Sequence, residues 1–85
     1  MRIFYSPTFV RRYKKLSPEI KLLAERMEIV FKKNPRSPIL HTHKLHGGLK
    51  NFWAFSINSV FRIVFEFASD KSVTFHFVGD HDEVY

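Results

Sequence analysis

Across residues 52–77 the chain alternates between bulky apolar and small or polar side chains, the two-residue period of half-buried β-strands. Trp53, Phe55 and Ile57 fall on one face of a first strand. Phe61, Ile63, Phe65 and Phe67 share one face of a second, and Val73, Phe75 and Phe77 one face of a third. Side chains opposite each other in a sheet share a face, so these sets align only when paired residue numbers have an even sum. A three-residue loop at 58–60 meets the condition and sets Phe55 against Ile63 and Ser56 against Arg62. A five-residue loop at 68–72 sets Phe65 against Phe75 and Val64 against His76. Arg62 is then predicted to point away from the aromatic face, in the company of Ser56, Val64, His76 and Val78.

Upstream the period lengthens to that of helices. Residues 2–5 form a short β-prone stretch, read as a strand, and Ser6-Pro7 follows as N-cap and first helical residue. The helix it opens has apolar positions at Phe9, Val10, Tyr13 and Leu16. Ser17-Pro18-Glu19 repeats the start signal at once, and Ile20, Leu23, Ala24, Met27, Val30 and Phe31 form the stripe of a second helix, stopped by Asn34-Pro35. Two amphipathic helices joined by almost nothing make a hairpin whose apolar stripes need a partner. The predicted fold is therefore α+β: an N-terminal helical hairpin packed on one face of a small, mainly antiparallel four-stranded sheet. At 85 residues the whole chain, 1–85, is read as a single domain.

Residues 35–50, PRSPILHTHKLHGGLK, follow neither period and are too long for a routine connection. Ile39, Leu40, Leu45 and Leu49 argue that the segment is packed, and Gly47-Gly48 permits close backbone approach. It carries His41, His43 and His46 among Lys44 and Lys50, which makes it a second place for chemistry besides Arg62. Three histidines invite a metal, but neither an HExxH motif nor a cysteine partner accompanies them. Histidine and lysine beside an outward arginine instead suit acid–base chemistry on a phosphodiester, with no cofactor.

Composition narrows the picture further. Ten Phe in a chain that is 16% aromatic suit a sheet with large side chains on its buried face. The absence of Cys removes disulfides, thiol nucleophiles and thiolate zinc sites, and is compatible with a reducing cytoplasm. No stretch near the start is apolar enough for a signal peptide or membrane span, so no membrane partner is expected. The net charge is +6, and ten of the fourteen Lys and Arg fall within residues 1–36. That density predicts a polyanion or an acidic partner.

The order strand, helix, helix, basic loop ending in LHGGLKNFWAF, then SINSVFRIVFEF and VGDHDEVY, resembles the RelE/ParE superfamily of type II toxin–antitoxin toxins, within its RelE-like branch. Arg62 in FRIVF matches the family's recurrent arginine, and His81 and Tyr85 in GDHDEVY match a histidine and a terminal aromatic. The pattern LHGGLK places His43, Lys44, His46 or Lys50 where members keep catalytic or RNA-contacting bases. The resemblance implies a cytoplasmic, ribosome-dependent messenger RNA endonuclease, restrained by a cognate antitoxin and touching operator DNA only through it. It implies Arg62 as the cation for the scissile phosphate, His81 with His43 or His46 as acid and base, and Asp80 or Asp82 holding the His81 ring. Tyr85 would stack on a base or orient a phosphate, and Lys44 and Lys50 would bind RNA. The same fold also serves gyrase-inhibiting toxins of the ParE branch, and an inactive antitoxin-binding module is the third alternative.

Overall fold

The first two of the three Ser-Pro pairs start α-helices, each by capping backbone N–H groups that no helical turn can reach. Ser6 Oγ accepts from the Phe9 N–H at 3.0 Å at the head of α1 (Pro7–Lys14), and Ser17 Oγ from the Ile20 N–H at 3.3 Å at the head of α2 (Pro18–Lys33). Lys32 and Lys33 in the last turn of α2, and Arg11, Arg12 and Lys14 in that of α1, suit the negative ends of the helix dipoles. The computed structural model describes residues 1–47, 51–80 and Asp82. The Ser6 hydroxyl also donates to the His76 carbonyl at 2.8 Å, which ties the helix start to the sheet. Ser17→Ala is expected to cost about 1 kcal/mol, lowering Tm by roughly 4–8 °C. Ser6→Ala, which loses a cap and a link to the sheet, should lower Tm about twice as far; calorimetry of the two variants checks the ratio.

The sheet has five strands in the order β1-β5-β4-β3-β2. They are β1 (Arg2–Tyr5), β2 (His43–Lys44), β3 (Phe52–Ser56), β4 (Phe61–Ser69) and β5 (Ser72–Asp80). β1 runs parallel to β5 and the remaining pairs are antiparallel. The fifth strand beyond the four expected is β2, inside the loop of residues 35–50; two residues are too few to show a period. The first hairpin has the predicted register, Phe55 opposite Ile63 and Ser56 opposite Arg62.

The second hairpin differs from its prediction in two ways. Phe65 faces Phe75 as expected, but Val64 faces Phe77 rather than His76, because β5 carries an extra residue at a bulge. The bulge resets the parity: Val78 enters the core opposite Ile63, and Phe77 moves to the other face beside Val64. The predicted places of Phe77 on the core face and Val78 beside Arg62 are thus exchanged. A further irregularity after Phe67 brings Ser69 opposite Ser72, so Asp70 and Lys71 make a two-residue turn in place of the five-residue loop. The two serine hydroxyls close that turn at 2.9 Å.

The helices cover the aromatic face of the sheet. Phe31 of α2, fully buried, stacks on Phe55 at 4.8 Å between ring centroids and meets Phe65 and Phe75 edge-on at 4.9 and 5.5 Å. Phe9 and Leu40 complete this core, the latter from a 3₁₀ turn at Pro38–Leu40. Val10, grouped with the apolar positions of α1, is 39% exposed. Trp53 packs at the core margin, where the Arg36 guanidinium lies 4.7 Å from its ring. Opposite the helices a smaller cluster of Leu45, Ala54 and Val64, flanked by Phe52 and Phe77, makes the floor of the outer face. Among the described residues no helix is long and apolar enough to cross a membrane.

Candidate functional site

Arg62 lies on the outer face, as the register requires. Phe61 packs against the aromatic core, and alternation along β4 turns Arg62 to the other side with Val64 and Glu66. The turn before β4 is held by Asn58, whose Oδ1 accepts from the Val60 and Phe61 N–H groups at 2.9 and 2.8 Å. The Asn58 carbonyl in turn accepts from Arg62 Nη1 at 3.4 Å, which leans the guanidinium toward the end of the sheet. Glu66, a conceivable structural partner for Arg62, is instead paired with His76 Nε2 at 3.1 Å, and the His76 ring stacks on Phe52 at 4.9 Å.

The loop histidines separate. β2 pairs His43 with Ala54 and Lys44 with Trp53, so His43 shares the face of Arg62 and Lys44 belongs to the opposite one. His41 sits at the end of the 3₁₀ turn with φ 52°, a left-handed conformation that swings the chain from the turn into β2. His43 Nδ1 lies 3.0 Å from the His41 carbonyl. A carbonyl can only accept, so this bond places the proton on Nδ1, and in the neutral ring the basic lone pair is then on Nε2.

His41, His43 and Arg62 line one open cleft of about 630 Å³ at the end of the sheet, together with Ser56, Asn58 and Ser59. Met27, Ile39 and Ile57 supply its apolar wall. A guanidinium and an imidazole of fixed tautomer facing the same space can bind a phosphate and move a proton beside it. His46 is exposed beyond β2 and does not line the cleft. Lys50, His81 and Tyr85 lie outside the described residues. In the sequence His41 is only one of three loop histidines, and its left-handed backbone carries no periodic signal that could set it apart. Among the described residues no three His, Asp or Glu side chains converge in a way that would hold a metal ion.

Solved structures share this architecture over the whole chain. YafQ from Escherichia coli strain BL21(DE3) superposes with a TM-score of 0.82 at 18% identity, over 100% of this chain and 99% of YafQ. A YoeB/ParE toxin from Agrobacterium tumefaciens gives 0.79 at 14% identity, over 95% of this chain and 99% of the toxin. YafQ in the E. coli DinJ–YafQ complex gives 0.72 at 19% identity, over 100% and 99% of the two chains. The chain has the RelE/ParE toxin fold. No protein-family model matches the sequence, and no curated protein matches it at a significant level. The RelE/ParE fold accounts for the helical hairpin, the parallel edge strand and the outer face opposite the helices, and the chemistry of the cleft rests on the residues this chain places there.

Proposed function

We propose that this chain is the toxin of a type II toxin–antitoxin pair and cleaves messenger RNA on the ribosome without a metal. The observation that carries the reading is the meeting of Arg62 with His43 in one open cleft at the end of the sheet. Cleavage by the neighbouring 2′-hydroxyl needs a base for its proton, a cation for the charge that grows on the phosphate, and an acid for the departing oxygen. His43 takes the 2′ proton at Nε2 as the O2′–P bond forms. Arg62 holds the non-bridging oxygens through its planar fork. His81 returns a proton to O5′ as the P–O5′ bond breaks, leaving a cyclic phosphate and a 5′-hydroxyl. Tyr85 stacks on an adjacent base, Lys50 binds the RNA, and Lys44, on the opposite side of β2, adds only long-range attraction for it.

A toxin of this kind needs a restraining partner. The DinJ–YafQ structure is a toxin–antitoxin complex of the same fold, and we propose an antitoxin segment that covers apolar surface and part of the basic face here. Phe4, Tyr5 and Val10, all substantially exposed beside the basic α1, are suited to such cover. Operator DNA is reached only through that antitoxin, and the work is done in the cytoplasm, where the ribosomes are.

The test is cleavage of a defined message by purified protein with and without ribosomes, with the ends mapped. His43→Gln keeps hydrogen bonding but loses proton transfer, and is expected to slow cleavage roughly 10²-fold or more, as is His81→Gln. A wild-type protein that leaves the message intact and blocks gyrase supercoiling would replace this reading with a ParE-like one. If only His43→Gln retains full rate, the base is His41 or His46.

A further inference from the structure

The chain is strongly basic, yet between α1 and α2 it holds an open cavity of about 310 Å³ lined by two carboxylates. Ile63 and Phe75 of the sheet line it, and Ala24, the smallest residue of the α2 stripe, leaves room beside them. The other walls are aromatic. Phe9 and Tyr13, one turn apart on α1, stack at 5.8 Å, and Tyr5 leans on Phe9 at 5.5 Å and meets Phe75 edge-on at 5.7 Å. All four rings line the cavity, and the face of an aromatic ring attracts a cation.

Glu25 and Glu28 supply the carboxylates. The Tyr5 hydroxyl donates to Glu28 Oε2 and leaves Oε1 with no described partner. Lys21 and Lys32 lie four residues away along α2, but neither acid is ion-paired to a lysine or arginine among the described residues. Like charges a turn apart with no cation between them weaken a helix slightly, so the pair has no structural use of its own. Burial, and after it the bond to Glu28 and the charge of that residue, raise the Tyr5 phenol well above its ordinary value, which keeps it a donor. Tyr13 is raised by burial and then by the charges of Glu25 and Glu28, so the field of both acids reaches the rings. Lys14, exposed at the end of α1, is the one cation in the lining and is outnumbered by the two acids. Lys21 stands 5.9 Å from the Tyr13 ring centroid but does not line the cavity.

These walls define the occupant. An apolar side chain would take water from Glu28 and return nothing. A small free amine would leave the rim bare, where Tyr5 and Val10, 46% and 39% exposed, continue the apolar surface toward Phe4. A polypeptide that places a cation in the cavity and lays apolar residues over the rim satisfies both. We propose that the cavity anchors a lysine or arginine side chain of the antitoxin, its stem along the rings and its charge between Glu25 and Glu28. The inference rests on the toxin–antitoxin reading above and adds the chemistry of one contact. On a molecule of net charge +6, which favours acidic partners everywhere else, a single acid-lined cavity fixes the register of the bound segment by accepting a cation.

The first measurement is an NMR titration of the purified chain with blocked tripeptides, acetylated and amidated, that carry arginine, lysine, citrulline or leucine between two glycines. Spermidine is titrated in parallel. The arginine and lysine peptides should bind saturably, with shifts centred on Tyr5, Glu25 and Glu28. Citrulline, which has the shape of arginine without its charge, should bind about tenfold more weakly, and Glu25→Gln/Glu28→Gln should erase that difference. Equal binding of arginine, citrulline and leucine, or no saturable shift at the cavity, overturns the cation site. Spermidine binding as tightly as the arginine peptide overturns a polypeptide occupant. The second measurement co-expresses the product of the neighbouring reading frame and follows dissociation of the complex on dilution. The double variant should release that product about tenfold more readily than wild type, with an unchanged melting temperature of the free chain. Equal release from both overturns the anchor, whereas a neighbour that binds neither protein defeats the toxin–antitoxin reading while the peptide titration still judges the cavity.

Discussion

Replacing Arg62 with Ala should slow message cleavage by about a hundredfold or more while leaving the protein folded. Arg62 stands on the outer face, half-buried, with its described hydrogen bond going to the Asn58 carbonyl. The aromatic core lies on the other side of the sheet, so truncating this side chain opens no hole in it. A preorganised donor aimed at charge that develops in the transition state contributes on the order of 3 kcal/mol, which is the hundredfold in rate. Arg62→Lys keeps the charge but loses the planar fork, and should recover only part of the rate. Single-turnover cleavage at saturating ribosomes reads the chemical step, and a thermal melt of each variant controls for folding. An Arg62→Ala protein that cuts at near wild-type rate would remove Arg62 from the chemistry.

The largest expected effect on stability is at Phe31. Its ring is fully buried and touches the rings of Phe55, Phe65 and Phe75 from three directions. Phe31→Ala removes those contacts and leaves a cavity that neighbours held in a hydrogen-bonded sheet cannot close, at about 3–5 kcal/mol. A domain of this length has a total stability of about 4–13 kcal/mol, so the variant should lose a large share of it. The urea midpoint should fall sharply with m unchanged. Leu22→Ala, on the solvent side of the same helix at 58% exposure, should move the midpoint by less than about 0.5 kcal/mol equivalent. Similar midpoints for the two variants would show that the ring cluster does not hold the helix to the sheet.

Much of this molecule is legible before folding is considered. The two Ser-Pro starts fix where the helices begin, because a cap needs only three or four neighbouring residues. The alternation of residues 52–65 fixes the first hairpin, and with it the side of the sheet on which Arg62 stands, because a register of the wrong parity would bury the arginine among phenylalanines. The general place of the chemistry is also visible, as histidines in an aperiodic basic loop and an arginine on the face away from the core.

Other features belong to the tertiary structure alone. The extra residue in β5 that exchanges Phe77 and Val78 leaves the alternation of the sequence intact up to Phe77, and only pairing against Val64 and Phe65 shows where the strand skips. β2 is two residues long and exists because β3 offers it an edge. That edge turns His43 toward Arg62 and Lys44 away, a choice no local pattern makes. The tautomer of His43 depends on a carbonyl placed by the left-handed turn at His41. Caps and alternation act between residues near in sequence, so the sequence states them directly. A bulge, an edge and a shared cleft arise between segments that lie apart along the chain, and only the hydrogen bonds that bring those segments together decide them.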